Sequence, residues 1–139
     1  MSNAVNITEH LHHDVYPAID PRGALKDSCQ GKSVLVTGAG RGIGKATAIA
    51  FALAGASNIV LTARSQSELE SARNDILSES QLGSKPNILI QVTDVTSEES
   101  VKALFDMLER ESVQVDVLIN NAGKSRRLDR GSVVAHWHE

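Results

Sequence analysis

The sequence predicts an α/β fold, a doubly wound parallel sheet with helices on both faces. Three observations predict it. Short β-branched apolar runs alternate with helix-period segments in the order βαβαβαβ. The strands read as unbroken apolar runs, the pattern of strands covered on both faces, and such alternation closes through right-handed crossovers. The chain has 139 residues, 41% apolar and 22% charged, which suits one soluble globular domain.

The elements follow in order. Residues 1–30 read as a polar arm, because His10, His12, His13, Pro17, Asp20, Pro21 and Gly23 interrupt every apolar run. The three histidines have no carboxylate or cysteine at a ligand spacing, so a solvated arm is favoured over a metal site. Residues 33–37 form the first strand, between Gly31 and Gly38. Residues 42–54 have helical texture, with Ile43, Ala46, Ile49, Ala50 and Leu53 on one face. Residues 58–62 are the second strand. Ser65 and Glu68 make a capping box for a helix whose stripe is Leu69, Ala72, Ile76 and Leu77. Gly83, Ser84 and Pro86 turn the chain into a third strand, 88–92. Thr96 and Glu99 read as a second capping box, and Val101, Leu104, Phe105 and Leu108 as the stripe behind it. Residues 115–119 are the fourth strand. Residues 124–139 are irregular: a mixed-charge stretch from Lys124 to Arg130, then Val133, Val134 and Trp137.

Composition excludes several classes. The net charge of −3, without a single-sign block, gives no reason to expect nucleic acid. One cysteine, Cys29, excludes an internal disulfide framework and a cysteine-based metal site. No apolar run approaches the ~20 residues of a membrane span. The first residues lack the basic and apolar regions of a signal peptide, so a reduced, cytoplasmic protein is expected.

The chemistry concentrates in Thr37-Gly38-Ala39-Gly40-Arg41-Gly42-Ile43-Gly44, between the first strand and the first helix. A tight strand-to-helix turn needs glycine where φ is positive and where a pyrophosphate approaches the backbone. The helix N-terminus then presents free N–H groups and a positive dipole end to the anion. A phosphate-binding P-loop is the competing interpretation. Gly44-Lys45 is present, but Ala39 stands where its first glycine belongs and Ala46 replaces the Mg²⁺-binding hydroxyl. A purely structural glycine turn is the other alternative.

The pattern Thr37, Gly38, Gly42, Gly44 resembles the cofactor motif of the short-chain dehydrogenase/reductase family. Asn120-Asn121-Ala122-Gly123 after the fourth strand is similar to that family's second hallmark, and Asp94-Val95 to its adenine-contacting position. The resemblance covers residues 31–123, an NAD(P)-binding Rossmann-type half-domain. It implies a nicotinamide dinucleotide cofactor and hydride transfer between the cofactor and a carbonyl or alcohol carbon. It assigns cofactor binding to Thr37, Gly38, Gly40, Arg41, Gly42, Ile43, Gly44, Arg64, Asp94, Val95, Asn121, Ala122 and Gly123. Asp94 would hold the adenine amino group, Val95 would contact the ring, and the backbone around Asn121 to Gly123 would lie beside the nicotinamide-side ribose. Thr37 and Asn121 would tie the first strand to the fourth.

Cofactor choice is read at the end of the second strand, where a carboxylate binds the ribose 2′-hydroxyl of NAD and a basic group accommodates the 2′-phosphate of NADP. Ala63 and Arg64 stand there, and Arg41 adds a second basic group from the glycine turn. Arginine pairs well with phosphate, so NADP(H) is expected over NAD(H).

The family's catalytic Tyr, Lys and Ser lie beyond a fifth strand, and no such residues occur in this sequence. Its one tyrosine, Tyr16, precedes the glycine turn and is followed four residues later by Asp20. The expectation is therefore a chain truncated after the fourth strand, holding the cofactor half of an NADP(H)-dependent oxidoreductase, no catalytic residues and no metal. A homo-oligomer is implied only for the complete form. The alternatives are a non-catalytic dinucleotide-binding module or an inactive truncated product. Residues 117–119 would form an exposed apolar edge, so the isolated chain is expected to be marginal and aggregation-prone.

Overall fold

The computed structural model describes residues 14–79 and 85–124. Among these residues lie a short 3-10 turn at Pro17–Ile19, four parallel strands and three α-helices: β1 (Ser33–Thr37), α1 (Gly42–Leu53), β2 (Asn58–Ala63), α2 (Gln66–Glu79), β3 (Asn87–Val92), α3 (Glu98–Arg110) and β4 (Val117–Ile119). The strand order is β3-β2-β1-β4, so β1 lies inside the sheet and β4 at one edge. This is a doubly wound, Rossmann-type arrangement, as the alternating pattern predicts. Among the described residues no helix is long and apolar enough to cross a membrane.

All five residues of β1 are buried, as unbroken apolar runs require. Val34, Val36, Ile59, Leu61 and Ile88 pack on one side against Ala48, Ala52, Leu69, Ala72 and Ile76 of α1 and α2. Leu35 and Val60 pack on the other against Leu104, Met107 and Leu108 of α3. At the edge, Leu118 pairs in register with Leu35 and is half exposed.

Four details differ from expectation. The inner face of α1 is Gly44, Ala48 and Ala52, whereas Ile43 is 78% exposed and Ala46 also faces solvent. The helix approaches the sheet too closely for large side chains, and only small residues fit the contact. The N-cap of α3 is Ser97, whose side chain accepts from the Ser100 amide, while the Thr96 hydroxyl donates to Asp94. The fourth strand starts at Val117, because Asp116 caps the start of β1 instead. On α3, Phe105 is turned outward and is half exposed, and Met107 joins Leu104 and Leu108 in the core.

Side chains form a polar ladder across the amino ends of all four strands. Asp116, just before β4, accepts the Ser33 amide at 2.8 Å. Asn58 Nδ2 donates to Ser33 Oγ at 2.9 Å, and Asn87 Nδ2 donates to Asn58 Oδ1 at 3.1 Å. The described part of the arm packs at this end too. The Cys29 amide donates to Ala54 O, Gln30 bridges to Ala56, and Arg22 pairs with Glu79 of α2. The triplet His10, His12, His13 and residues 125–139 lie outside the described residues.

Candidate functional site at the carboxyl ends of the strands

The glycine turn runs from the end of β1 into α1, and Asn121-Ala122 follows β4 beside it. The two are joined by Thr37. Its hydroxyl donates to Ile119 O at 3.3 Å and accepts from the amides of Asn121 and Ala122 at 3.0 and 2.9 Å. One donor and two acceptor positions are thereby filled, which is the full capacity of a hydroxyl. Asn121 Nδ2 reaches back to the carbonyls of Thr37 and Gly38, at 3.0 and 3.3 Å. Thr37 and Asn121 thus tie β1 to β4, as the resemblance implies, and Asn121 and Ala122 use their N–H groups to hold the turn.

Two glycines are dictated by this junction. Gly38 has φ +66°, and a Cβ there would come within 2.9 Å of Asn121 Nδ2. A Cβ on Gly44 would collide with the Gly38 carbonyl and the Asn121 amide. Gly42 differs: its φ is +55°, yet a Cβ there would meet nothing within 4 Å. It borders open space at the start of α1. Gly123 is exposed, with similar room around it.

Helix α1 has no capping side chain at Arg41 and no acidic residue in its first turn. By contrast, α3 is capped by Ser97 and carries Glu98 and Glu99 in its first turn. The first amides of α1 therefore have no acceptor from an N-cap side chain and no acidic residue of their own turn to offset the dipole. An anion is the natural partner for such a terminus. Lys45 is engaged elsewhere. Its Nζ is bound to Asp75 of α2 at 2.8 Å, which removes the P-loop alternative.

Around this turn lie the other candidates. Asp94, after β3, accepts the Thr96 hydroxyl at 2.7 Å and the Thr96 amide at 2.9 Å, both on Oδ1. These two bonds, with the charge of Arg64 nearby, hold its carboxyl below its usual range. Val95 and Ile43 are exposed apolar side chains at the same end of the sheet. Arg64, after β2, is exposed, and Arg41 is 82% exposed.

Sequence reasoning missed Glu68. The Ser65 hydroxyl accepts the Glu68 amide at 3.3 Å, which is one half of the expected capping box. The carboxylate, however, turns toward the glycine turn, with Oε1 4.0 Å from Arg41 Nε. Its Cβ and Oε2 crowd the space above Gly40, which explains why that position is glycine. A Glu three residues past a Ser signals a helix start, and nothing in that spacing signals contact with the turn.

Residues 32–135 match the family described as short chain dehydrogenase. Among curated proteins, the Short chain dehydrogenase tazN of Aspergillus terreus is 44% identical over 117 residues, which is 84% of this chain and 24% of that protein. The Short chain dehydrogenase mpl6 of Monascus purpureus is 40% identical over 81% of this chain and 38% of its own length. Among solved structures, L-sorbose reductase from Gluconobacter frateurii, complexed with NADPH and L-sorbose, superposes with a TM-score of 0.66 and 30% identity. That match covers 78% of this chain and 38% of the reductase. This chain thus spans well under half the length of the relatives it matches. Its strand order, its glycine turn and these relatives agree: the chain belongs to the short-chain dehydrogenase family of oxidoreductases.

Proposed function

We propose that residues 31–123 form the nicotinamide-dinucleotide site of an oxidoreductase that moves hydride between the cofactor and a carbonyl or alcohol carbon. The observation that carries this is the uncapped start of α1 beside a glycine turn pinned by Thr37 and Asn121. Gly38, Gly40, Gly42, Ile43 and Gly44 would receive the pyrophosphate. Asp94 and Val95 would receive the adenine, and the backbone of Asn121 to Gly123 the nicotinamide-side ribose. The cofactor would supply the hydride to a carbonyl or accept it from an alcohol; this chain would bind and orient the cofactor.

NADP(H) is preferred in this proposal, because Arg41 and Arg64 stand at the ends of the turn and of β2. The NADPH-bound sorbose reductase is a relative with the same fold and supports this choice. A second reading, dinucleotide binding without catalysis by this chain, is favoured by one observation. Its one tyrosine, Tyr16, stands before β1 rather than near the glycine turn.

Calorimetric titration of the chain with NADPH and NADH tests the cofactor assignment. Arg64→Asp is expected to weaken NADPH and to spare or improve NADH. Equal losses for both cofactors would overturn it. Carbonyl-dependent oxidation of NADPH separates the catalytic from the non-catalytic reading.

A further inference from the structure

We infer that Glu68 is a specificity-determining residue of the proposed cofactor site, its carboxylate opposing a 2′-phosphate and so limiting the preference that the arginines create. This rests on the dinucleotide site proposed above.

The position of Glu68 carries the inference. A Cβ on Gly40 would lie 2.9 Å from Glu68 Cβ, 3.2 Å from Oε2 and 3.6 Å from the Cβ of Ala63. The glycine turn, the end of β2 and the first turn of α2 therefore meet in one wall, and Glu68 supplies its negative charge. Discrimination between a ribose hydroxyl and a ribose phosphate is made at the end of the second strand in folds of this kind. By sequence position that end holds only Ala63 and Arg64; in three dimensions it also holds a carboxylate.

The two partners of this ion pair are not equally movable. Arg41 is 82% exposed and its Nε is 4.0 Å from Oε1, a contact that solvent screens. Its guanidinium can turn to a phosphate at little cost. Glu68 is anchored nearer the turn: its amide is bound to Ser65 Oγ, its Cβ lies over Gly40, and its side chain is 43% exposed against 82% for Arg41. The arginine is therefore the freer partner, and the carboxylate remains at this wall. A carboxylate there repels a dianionic phosphate and accepts a hydrogen bond from a hydroxyl. Glu68 leans toward the hydroxyl cofactor, Arg41 and Arg64 toward the phosphate.

The probes are 2′,5′-ADP and 5′-AMP, which differ in the 2′-phosphate and need no nicotinamide half. Their affinities are measured by calorimetry on the full chain and on Glu68→Gln, Glu68→Ala and Arg64→Ala. Both Glu68 variants are expected to raise the 2′,5′-ADP to 5′-AMP affinity ratio by about threefold to tenfold, with the gain shrinking as salt is added. An unchanged or lowered ratio in both would overturn the inference, and a lowered one would make Glu68 a positioning residue for Arg41. A raised ratio with Arg64→Ala silent would sustain Glu68 and sink the arginine assignment. A wild-type chain that binds neither probe overturns both.

Discussion

The two ends of the sheet use their polar groups differently. At the amino end, Asp116, Ser33, Asn58 and Asn87 bond to one another across all four strands, and the described part of the arm bonds to Ala54, Ala56 and Glu79 at the same end. Donor meets acceptor within the protein, and the end is closed. At the carboxyl end, the Thr37 hydroxyl is saturated and the Asn121 N–H groups are engaged, but only to hold a turn. That turn leaves an uncapped helix start, two exposed arginines and the exposed apolar side chains of Ile43 and Val95. Binding capacity resides in hydrogen-bonding groups that the fold itself leaves unused. In the proposed reading, the same sheet is a scaffold at one end and a receptor at the other.

The contrast can be broken or sharpened by substitution. The largest effect is expected from Gly44→Ala, whose methyl meets backbone that cannot move away. Overpacking of this kind costs about 3 kcal/mol, read as a lowered midpoint in urea. Thr37→Val comes next. It leaves the Ala122 amide without its acceptor and the Asn121 amide with Ile119 O alone, at a cost of about 2 kcal/mol and with weakened dinucleotide binding. Asn58→Ala cuts the ladder in the middle, costs about 1 kcal/mol and leaves dinucleotide affinity unchanged. Loss of binding in Asn58→Ala equal to that in Thr37→Val would erase the distinction between the ends.

The smallest effect is on pH. The Ser33 amide, with Lys32 nearby, holds the Asp116 carboxyl below its ordinary value of 3.8. A carboxyl whose folded value is depressed adds stability above its unfolded value and loses it as pH falls through the folded one. Denaturant stability measured from pH 6 down to pH 2 should therefore decline in the acid limb. Asp116→Asn should make that limb shallower, and an unchanged slope would remove Asp116 from the ladder.

The order of elements and the glycine turn were legible in the sequence, because both are local patterns. The stripe of α2 was read correctly at Leu69, Ala72 and Ile76 for the same reason. The inner face of α1 was not. Periodicity selects the largest apolar residues, and here close packing selects Ala48 and Ala52 and expels Ile43. The Thr37–Asn121 junction was foreseen only through the family resemblance, since its partners are 84 residues apart. The polar ladder and the turned carboxylate of Glu68 had no local signal at all. Each exists only once strand register and helix placement have brought separate segments together.

The most direct test is the NADPH affinity of wild type and Gly42→Ala, measured by calorimetry beside a thermal unfolding scan. Gly42 has positive φ but open surroundings, so alanine there costs about 1–2 kcal/mol of strain and collides with no protein atom. If the carboxyl end receives the dinucleotide, wild type binds NADPH, and the variant stays folded and loses at least about tenfold in affinity, one methyl blocking close approach to the helix start. A wild type that fails to bind, or a folded variant that binds equally well, would contradict the assignment of this end as the receptor.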